Sequence, residues 1–107
     1  MSKYFEVLSK TGKIIRTSES YWKKIVAFKH PVMKGKKRFV KKAIEEPDAI
    51  KQSEKDENVF LYYRKFIRRY VCVVVRHENG GGFIISIFPV DVVKKGKIVY
   101  EKSKNIS

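Results

Sequence analysis

Apolar and polar positions in the first quarter of the chain predict a β-hairpin followed by a helix. Residues 4–8 and 14–16 are rich in aromatic and β-branched residues and flank a turn that contains Gly12, as the strands of a hairpin do. Over residues 21–28 the apolar side chains instead recur at one-turn spacing, which is typical of a helix with one buried face. Thr17-Ser18 directly precedes this pattern and supplies a hydroxyl that favours a helix start.

A second helix is predicted over residues 36–46, and its polar face is strongly basic. Its apolar face consists of Phe39, Val40, Ala43 and Ile44. The cations on its other side are Lys36, Lys37, Arg38, Lys41 and Lys42. Pro47 lacks the backbone N–H that a helix interior needs, so the helix is expected to end there.

After residue 48 the pattern changes to strands. The strands are predicted at residues 49–53, 59–65, 70–76, 83–88 and 97–100. The first of them is weak and is expected at an edge of the sheet. Asn79-Gly80 is a strong signal for a tight hairpin between two of the others.

Helices followed by hairpin-linked strands predict one α+β domain over residues 1–107. The expected architecture is an N-terminal hairpin and two short helices packed on a four-stranded antiparallel β-sheet meander, with a disordered tail from about residue 102. The predicted core is Trp22, Ile25, Phe39, Ile44, Leu61, Val73, Val75, Ile85 and Ile87.

The net charge of +14 narrows the choice of partner. Residues 1–43 carry +11 and residues 59–107 carry +7, while residues 44–58 carry −4. A basic excess of this size on a small domain favours a polyanion such as RNA, because neutralising phosphates releases condensed counterions. A lysine-rich solubility surface is the alternative, although Glu does not rise with Lys here. An acidic lipid surface is disfavoured, since no segment combines basicity with a broad aromatic face.

Composition also excludes several classes of site. A single cysteine, Cys72, and two histidines leave no spacing for a zinc or iron site, so neither metal nor cofactor is expected. No apolar stretch is long enough to span a bilayer and the N-terminus lacks a signal-peptide pattern, so a cytoplasmic location is expected. Gly80-Gly81-Gly82 lies in a hairpin rather than before a helix and is interpreted as a turn, not a phosphate-binding loop.

Metal-independent RNA cleavage is one reaction that this composition permits. It needs a group that moves a proton and a cation that stabilises charge on the phosphate. His30 precedes Pro31 at the junction of the two helices and suits the first role, with a helix-end residue as the equally weighted alternative. Arg64 suits the second role, although a surface charge ladder is the commoner interpretation. His77 stands at the lip of a hairpin and is interpreted as a solvated turn residue.

Several short motifs, taken together and in this order, resemble a ribonuclease family. They are His30-Pro31, a basic helix that ends at Pro47-Asp48, Ser53 before an acidic loop, Leu61-Tyr62-Tyr63-Arg64, a valine-rich strand with Arg76, and the segment 82–91. The family is the phage- and mobile-element-associated branch of the barnase–EndoU–colicin–RelE-type (BECR-fold) ribonucleases, and the resemblance covers roughly residues 22–100. It implies metal-independent cleavage of RNA through attack by the 2′-hydroxyl, often by a toxin or another conflict-system protein.

The resemblance also implies a set of site residues. The catalytic positions would be His30, Arg64, Ser53 and Ser86, with Asp91 in support. RNA would be bound by Lys36, Lys37, Lys41, Lys42, Tyr63, Arg68 and Arg69. The chain departs from the family pattern at Phe88 and Val90, which stand where the family more often has hydroxyls.

Three hypotheses follow from the sequence. The first is an endoribonuclease with RNA as substrate and an acidic antitoxin or immunity protein as a second partner. The alternative is a non-catalytic RNA- or DNA-binding module that uses the same basic face. The third is a small structural or inhibitor-type protein whose charge matches an acidic protein.

Overall fold

The computed structural model describes residues 3–26, 35–66, 68–93 and 96–102, which form two helices and seven strands. In chain order these are β1 (Lys3–Leu8), β2 (Ile14–Ser18), α1 (Glu19–Lys24), α2 (Lys37–Glu45), β3 (Ala49–Gln52), β4 (Val59–Phe66), β5 (Arg69–Glu78), β6 (Gly81–Val90) and β7 (Lys97–Glu101). All of these strands belong to one sheet in the order β1-β2-β6-β5-β4-β3-β7. His30 and residues 103–107 of the expected tail lie outside the described residues.

The predicted fold class is wrong, because the structure is mostly β and has a seven-stranded mixed sheet instead of a four-stranded α+β meander. The N-terminal hairpin belongs to this sheet, since β2 pairs in parallel with β6 and sets Ile15 beside Gly82. At the other side β7 pairs with β3, so β3 lies inside the sheet rather than at its edge. Both pairings join strands that are distant in sequence, and local periodicity gives no sign of them.

Both helices contribute to a core on one face of the sheet. Tyr62, Val73 and Ile87 stand opposite one another on β4, β5 and β6, so their side chains share this face. Trp22 of α1 and Ile44 of α2 belong to the same buried cluster. Because successive side chains of a strand alternate between faces, each sheet residue can be assigned to the helix side or to the opposite side.

The second predicted helix is confirmed with small changes of boundary, and the first is confirmed by α1, although residues 27 and 28 of its predicted span lie outside the described residues. Ser18 caps α1 by accepting a hydrogen bond from the backbone N–H of Tyr21 at 3.1 Å. Most of the predicted core is buried, namely Trp22, Ile25, Ile44, Val73, Val75 and Ile87. Leu61 and Ile85 are only half-buried, and the prediction for Phe39 is wrong, since its side chain is 37% exposed.

Candidate nucleic-acid interface

Helix α2 carries cations at the end where helices usually carry acids. Gly35 adopts a left-handed φ of 78° just before the helix, and Lys36 at the N-cap position makes no capping side-chain hydrogen bond. Lys36, Lys37 and Arg38 follow one another there, and the first turn of α2 contains no acidic residue. The positive end of the helix dipole disfavours each exposed cation by about 0.3–1 kcal/mol. A bound anion would convert this unfavourable arrangement into a favourable one.

The buried face of α2 fixes the direction of its cations. Val40, Ala43 and Ile44 are fully buried against the sheet. Arg38 and Lys42, which are four residues apart and therefore on one helix face, are exposed. The Lys42 ammonium lies 3.6 Å from the Glu46 carboxylate, an exposed pair that contributes little to stability.

Aromatic rings flank the cations on both sides of α2. The Phe39 ring contacts the Phe66 ring of β4 with a centroid separation of 4.2 Å, and the Lys36 ammonium lies 5.5 Å and 5.3 Å from the two centroids. On the other side, the ammonium groups of Lys37 and Lys41 each lie 5.8 Å from the Phe5 ring of β1. These contacts are within the range of cation–π attraction, which draws each ammonium towards a ring.

The hairpin between β4 and β5 brings more cations to the same end of the sheet. Phe66, which contacts Phe39, stands opposite Arg69 across this hairpin. Lys65 and Arg68 are exposed there, and Arg69 donates to the Asp91 carboxylate at 2.9 Å. We refer to the cations of α2 and of this hairpin together as the basic patch: Lys36, Lys37, Arg38, Lys41, Lys42, Lys65, Arg68 and Arg69.

A shallow cavity of about 560 Å³ opens on the α2 side of the basic patch. It is lined by Gly35, Lys37, Arg38, Phe39, Lys41, Lys42 and Glu45. Four of these residues are cations and only one is an acid, so an anion is the ligand that this lining favours.

The predicted catalytic residues in the described part of the chain do not converge. Arg64 lies on the helix side of the sheet and donates through Nη1 to the carbonyl oxygen of Glu46, at the end of α2, at 2.5 Å. Ser86 stands opposite Val74 and therefore on the other face of the sheet. Ser53 is aligned with Val59, and Arg64 is five residues further along β4, which corresponds to roughly 16 Å. The fourth member of the set, His30, is not among the described residues.

Two other predicted residues have clear places. Tyr63 is 1% exposed, and this burial removes its ring from any surface on which RNA could bind. The proposed supporting residue Asp91 lies beside Arg69, which it pairs with, and not beside Arg64 or Ser86 as the catalytic hypothesis expects. Asp91 thus belongs to the border of the basic patch.

His77 lies at the opposite end of the sheet and is buried, so its interpretation as a solvated turn residue is wrong. Its side chain is 9% exposed, its ring stacks on Phe60 at 4.1 Å, and Nε2 lies 2.8 Å from the Tyr62 hydroxyl. The Tyr62 hydroxyl continues to Thr11 at 3.0 Å. Burial, and to a smaller extent the charge of Lys13, lowers the pKa of His77 to about 4, while burial raises the pKa of Tyr62. The imidazole is therefore neutral at physiological pH.

The alternation of β5 offers a signal that would have placed His77 correctly. Val71, Val73 and Val75 are buried on the helix side, and His77 continues the same spacing by two residues. Phe39 gives no such signal, because it shares the helical spacing of the buried residues.

Among residues 3–26, 35–66, 68–93 and 96–102, no group of three His, Cys, Asp or Glu side chains is arranged to hold a metal ion. In the same part of the chain, no helix has the length and apolar character needed to cross a membrane. Asp56 has a pKa below its usual value, first because the Asn58 N–H donates to it and then because Arg76 donates to it at 2.8 Å. These charged side chains form local pairs rather than a ligand set.

Comparisons with protein-family models, with curated proteins and with solved structures found no match for this chain. The resemblance to the BECR-fold ribonucleases therefore stays a prediction. The four-stranded antiparallel sheet predicted from the sequence differs from the seven-stranded mixed sheet of this chain. Any proposal about function therefore depends on the arrangement of the residues in this structure.

Proposed function

We propose that this protein binds nucleic acid through the basic patch. The observation that carries the proposal is the run Lys36-Lys37-Arg38 at the start of α2, whose first turn contains no acidic residue of its own. A phosphate backbone would be attracted both by these side chains and by the dipole.

The arrangement of charge supports a backbone-tracking mode of binding. One cavity is lined by four cations of α2, namely Lys37, Arg38, Lys41 and Lys42. Lys65 and Arg68 extend the positive surface onto the hairpin at the same end of the sheet. Phosphate contacts of this kind hold the ligand without reading its sequence. The scattered positions of Arg64, Ser53 and Ser86 favour binding over catalysis.

Salt dependence tests the proposal. Affinity for a fluorescent RNA, followed by anisotropy over a series of salt concentrations, should fall with a slope of roughly −0.7 to −0.9 per neutralised phosphate on a log–log plot. A variant with Lys36, Lys37, Lys41 and Lys42 all changed to Gln should show a slope that is flatter by about two units or more.

A matched variant removes the same charge elsewhere. Its substitutions, Lys13→Gln, Lys51→Gln, Lys55→Gln and Lys97→Gln, lie at the end of the sheet where β3 and β7 meet near Phe60. This control should keep the slope of the unmodified protein. Equal flattening in both variants would mean that net charge alone attracts the RNA, and the basic patch would lose its role.

The predicted RNA cleavage can be tested on the same samples. Unmodified protein is incubated with total RNA in EDTA, beside His30→Ala and Arg64→Ala variants. Discrete fragments that disappear in both variants would support the ribonuclease hypothesis. Intact RNA that is shifted in a native gel supports binding without cleavage.

A further inference from the structure

Phe39 is the one aromatic residue among the large exposed hydrophobic side chains of the described part of the chain. It lies on α2 between cations, and its ring helps to line the basic cavity of about 560 Å³. A partly exposed phenylalanine gains less free energy from the hydrophobic effect than one that is buried in the core. Contacts within the protein cover only part of this residue, and 37% of its surface stays exposed.

Contacts with Phe66 and Lys36 fix the position of the Phe39 ring. Phe66 contacts it at 4.2 Å with an interplanar angle of 57°, and the Lys36 ammonium lies near both rings. Because Phe66 and Lys36 limit the freedom of the Phe39 side chain, a ligand that stacks on the ring loses little entropy in ordering it. A fixed aromatic ring within a positive groove is the arrangement by which proteins bind single-stranded nucleic acids.

The cations and the Phe39 ring contact different parts of a nucleic acid, and this difference indicates whether the ligand is single-stranded or double-stranded. The cations of the basic patch attract phosphates of single strands and of duplexes alike. The Phe39 ring, in contrast, needs the free face of a base, and bases within a duplex are covered on both faces by their neighbours. Only a nucleic acid with an unpaired base can contact the cations through its phosphates and the Phe39 ring through that base.

We propose that Phe39 stacks an unpaired base of the bound nucleic acid, so that the basic patch prefers single strands over duplexes. This inference rests on the proposed function and adds the class of ligand. Phe66 and Lys36 act as positioning residues for the ring, and the exposed Arg38 and Lys42 contact the phosphates next to the stacked base.

The test compares one RNA strand alone with the same strand annealed to its complement. Phe39→Leu keeps an apolar side chain and removes the aromatic face, so its affinity for the single strand should fall by roughly 5- to 100-fold while its affinity for the duplex stays the same. Phe39→Trp should retain binding, and the emission of the new indole should be quenched by the single strand only. Ile98→Ala, at an exposed site on β7, is the control and should change neither affinity.

The results separate this inference from the proposed function. Equal loss for single strand and duplex in Phe39→Leu, or no loss for either, would overturn the stacking role even if the lysine variant still flattens the salt slope. An unchanged slope in the lysine variant would overturn the proposed function itself. Urea denaturation of Phe39→Leu provides the folding control, and its midpoint should stay close to that of the unmodified protein because Leu keeps an apolar side chain against Phe66.

Discussion

The buried imidazole of His77 predicts how the stability of this protein depends on pH. The ring stacks on Phe60 and its Nε2 meets the Tyr62 hydroxyl, while the cationic Lys13 lies nearby and opposes a second positive charge. Together, burial first and Lys13 second, these surroundings lower the pKa of His77 to about 4 in the folded protein. In the unfolded chain the pKa returns to about 6.5.

The sign and size of the effect follow from these two values. Between pH 6.5 and pH 4 the unfolded chain binds a proton that the folded protein does not, so stability falls as the pH is lowered through this window. Acidification from pH 7 to pH 5 should reduce the free energy of unfolding by about 2 kcal/mol, and the loss should level off near 3 kcal/mol below pH 4. Above about pH 7.5 the contribution of His77 is constant, because the imidazole is then neutral in both states.

Urea denaturation followed by tryptophan fluorescence at a series of pH values measures this dependence. His77→Gln should lose most of the drop between pH 7 and pH 5, whereas His30→Gln, the matched change at the other histidine, should keep it. An NMR titration of the His77 ring in the unmodified protein should place its midpoint near pH 4 whatever the fate of the variants. A midpoint above pH 6 would refute the reasoning, because the buried ring would then accept a proton at no cost.

Two further predictions concern residues that join elements of the fold. Arg64→Met removes the hydrogen bond to the Glu46 carbonyl and should lower the free energy of unfolding by about 1 kcal/mol in urea denaturation, whereas an unchanged midpoint would leave Arg64 without a role at the end of α2. Gly82→Ala would place a Cβ against the Arg76 carbonyl oxygen and 3.0 Å from Ile15 Cδ1, and should destabilise by roughly 1–3 kcal/mol. Gly96→Ala, whose new Cβ would be no closer than 3.4 Å to its neighbours, is the control, and equal midpoints for the two variants would contradict the packing argument.

Local elements of this chain could be predicted from the sequence because they depend on neighbouring residues. The cap at Ser18, the end of α2 near Pro47 and the turn at Asn79-Gly80 each arise from conformational preferences that act within a few residues. The turn has the positive φ of 74° at Gly80 that such a hairpin requires. For the strands, the same local preferences predict the first and last residues only approximately.

The topology of the sheet could not be predicted in this way. In the parallel pairing of β2 with β6, Ile15 stands beside Gly82, and nothing near β2 in sequence marks it as a neighbour of residues more than sixty positions away. The pairing of β3 with β7 also joins segments that are far apart in sequence. The predicted four-stranded meander is wrong because these two pairings bring the N-terminal hairpin and β7 into one seven-stranded sheet.

The candidate site shows a similar division. The basic character of α2 is a property of its sequence, and its exposure follows from the apolar positions that pack against the sheet. The partial exposure of Phe39 is a tertiary result, since its ring contacts Phe66 of β4 and does not belong to the buried cluster. Residue type, strand position and the family resemblance predict a catalytic role for Arg64, and only the structure shows its contact with Glu46.

Two departures from ordinary helix design coincide at the start of α2. Consecutive cations oppose the helix dipole, and an aromatic ring that could lie in the core is exposed beside them. Both departures fall within Lys36–Phe39, at the first turn of the helix. A ligand with phosphates and an unpaired base offsets both at once, because the phosphates reverse the charge repulsion and the base covers the ring. That single explanation accounts for both features without assigning chemistry to residues that the fold keeps apart.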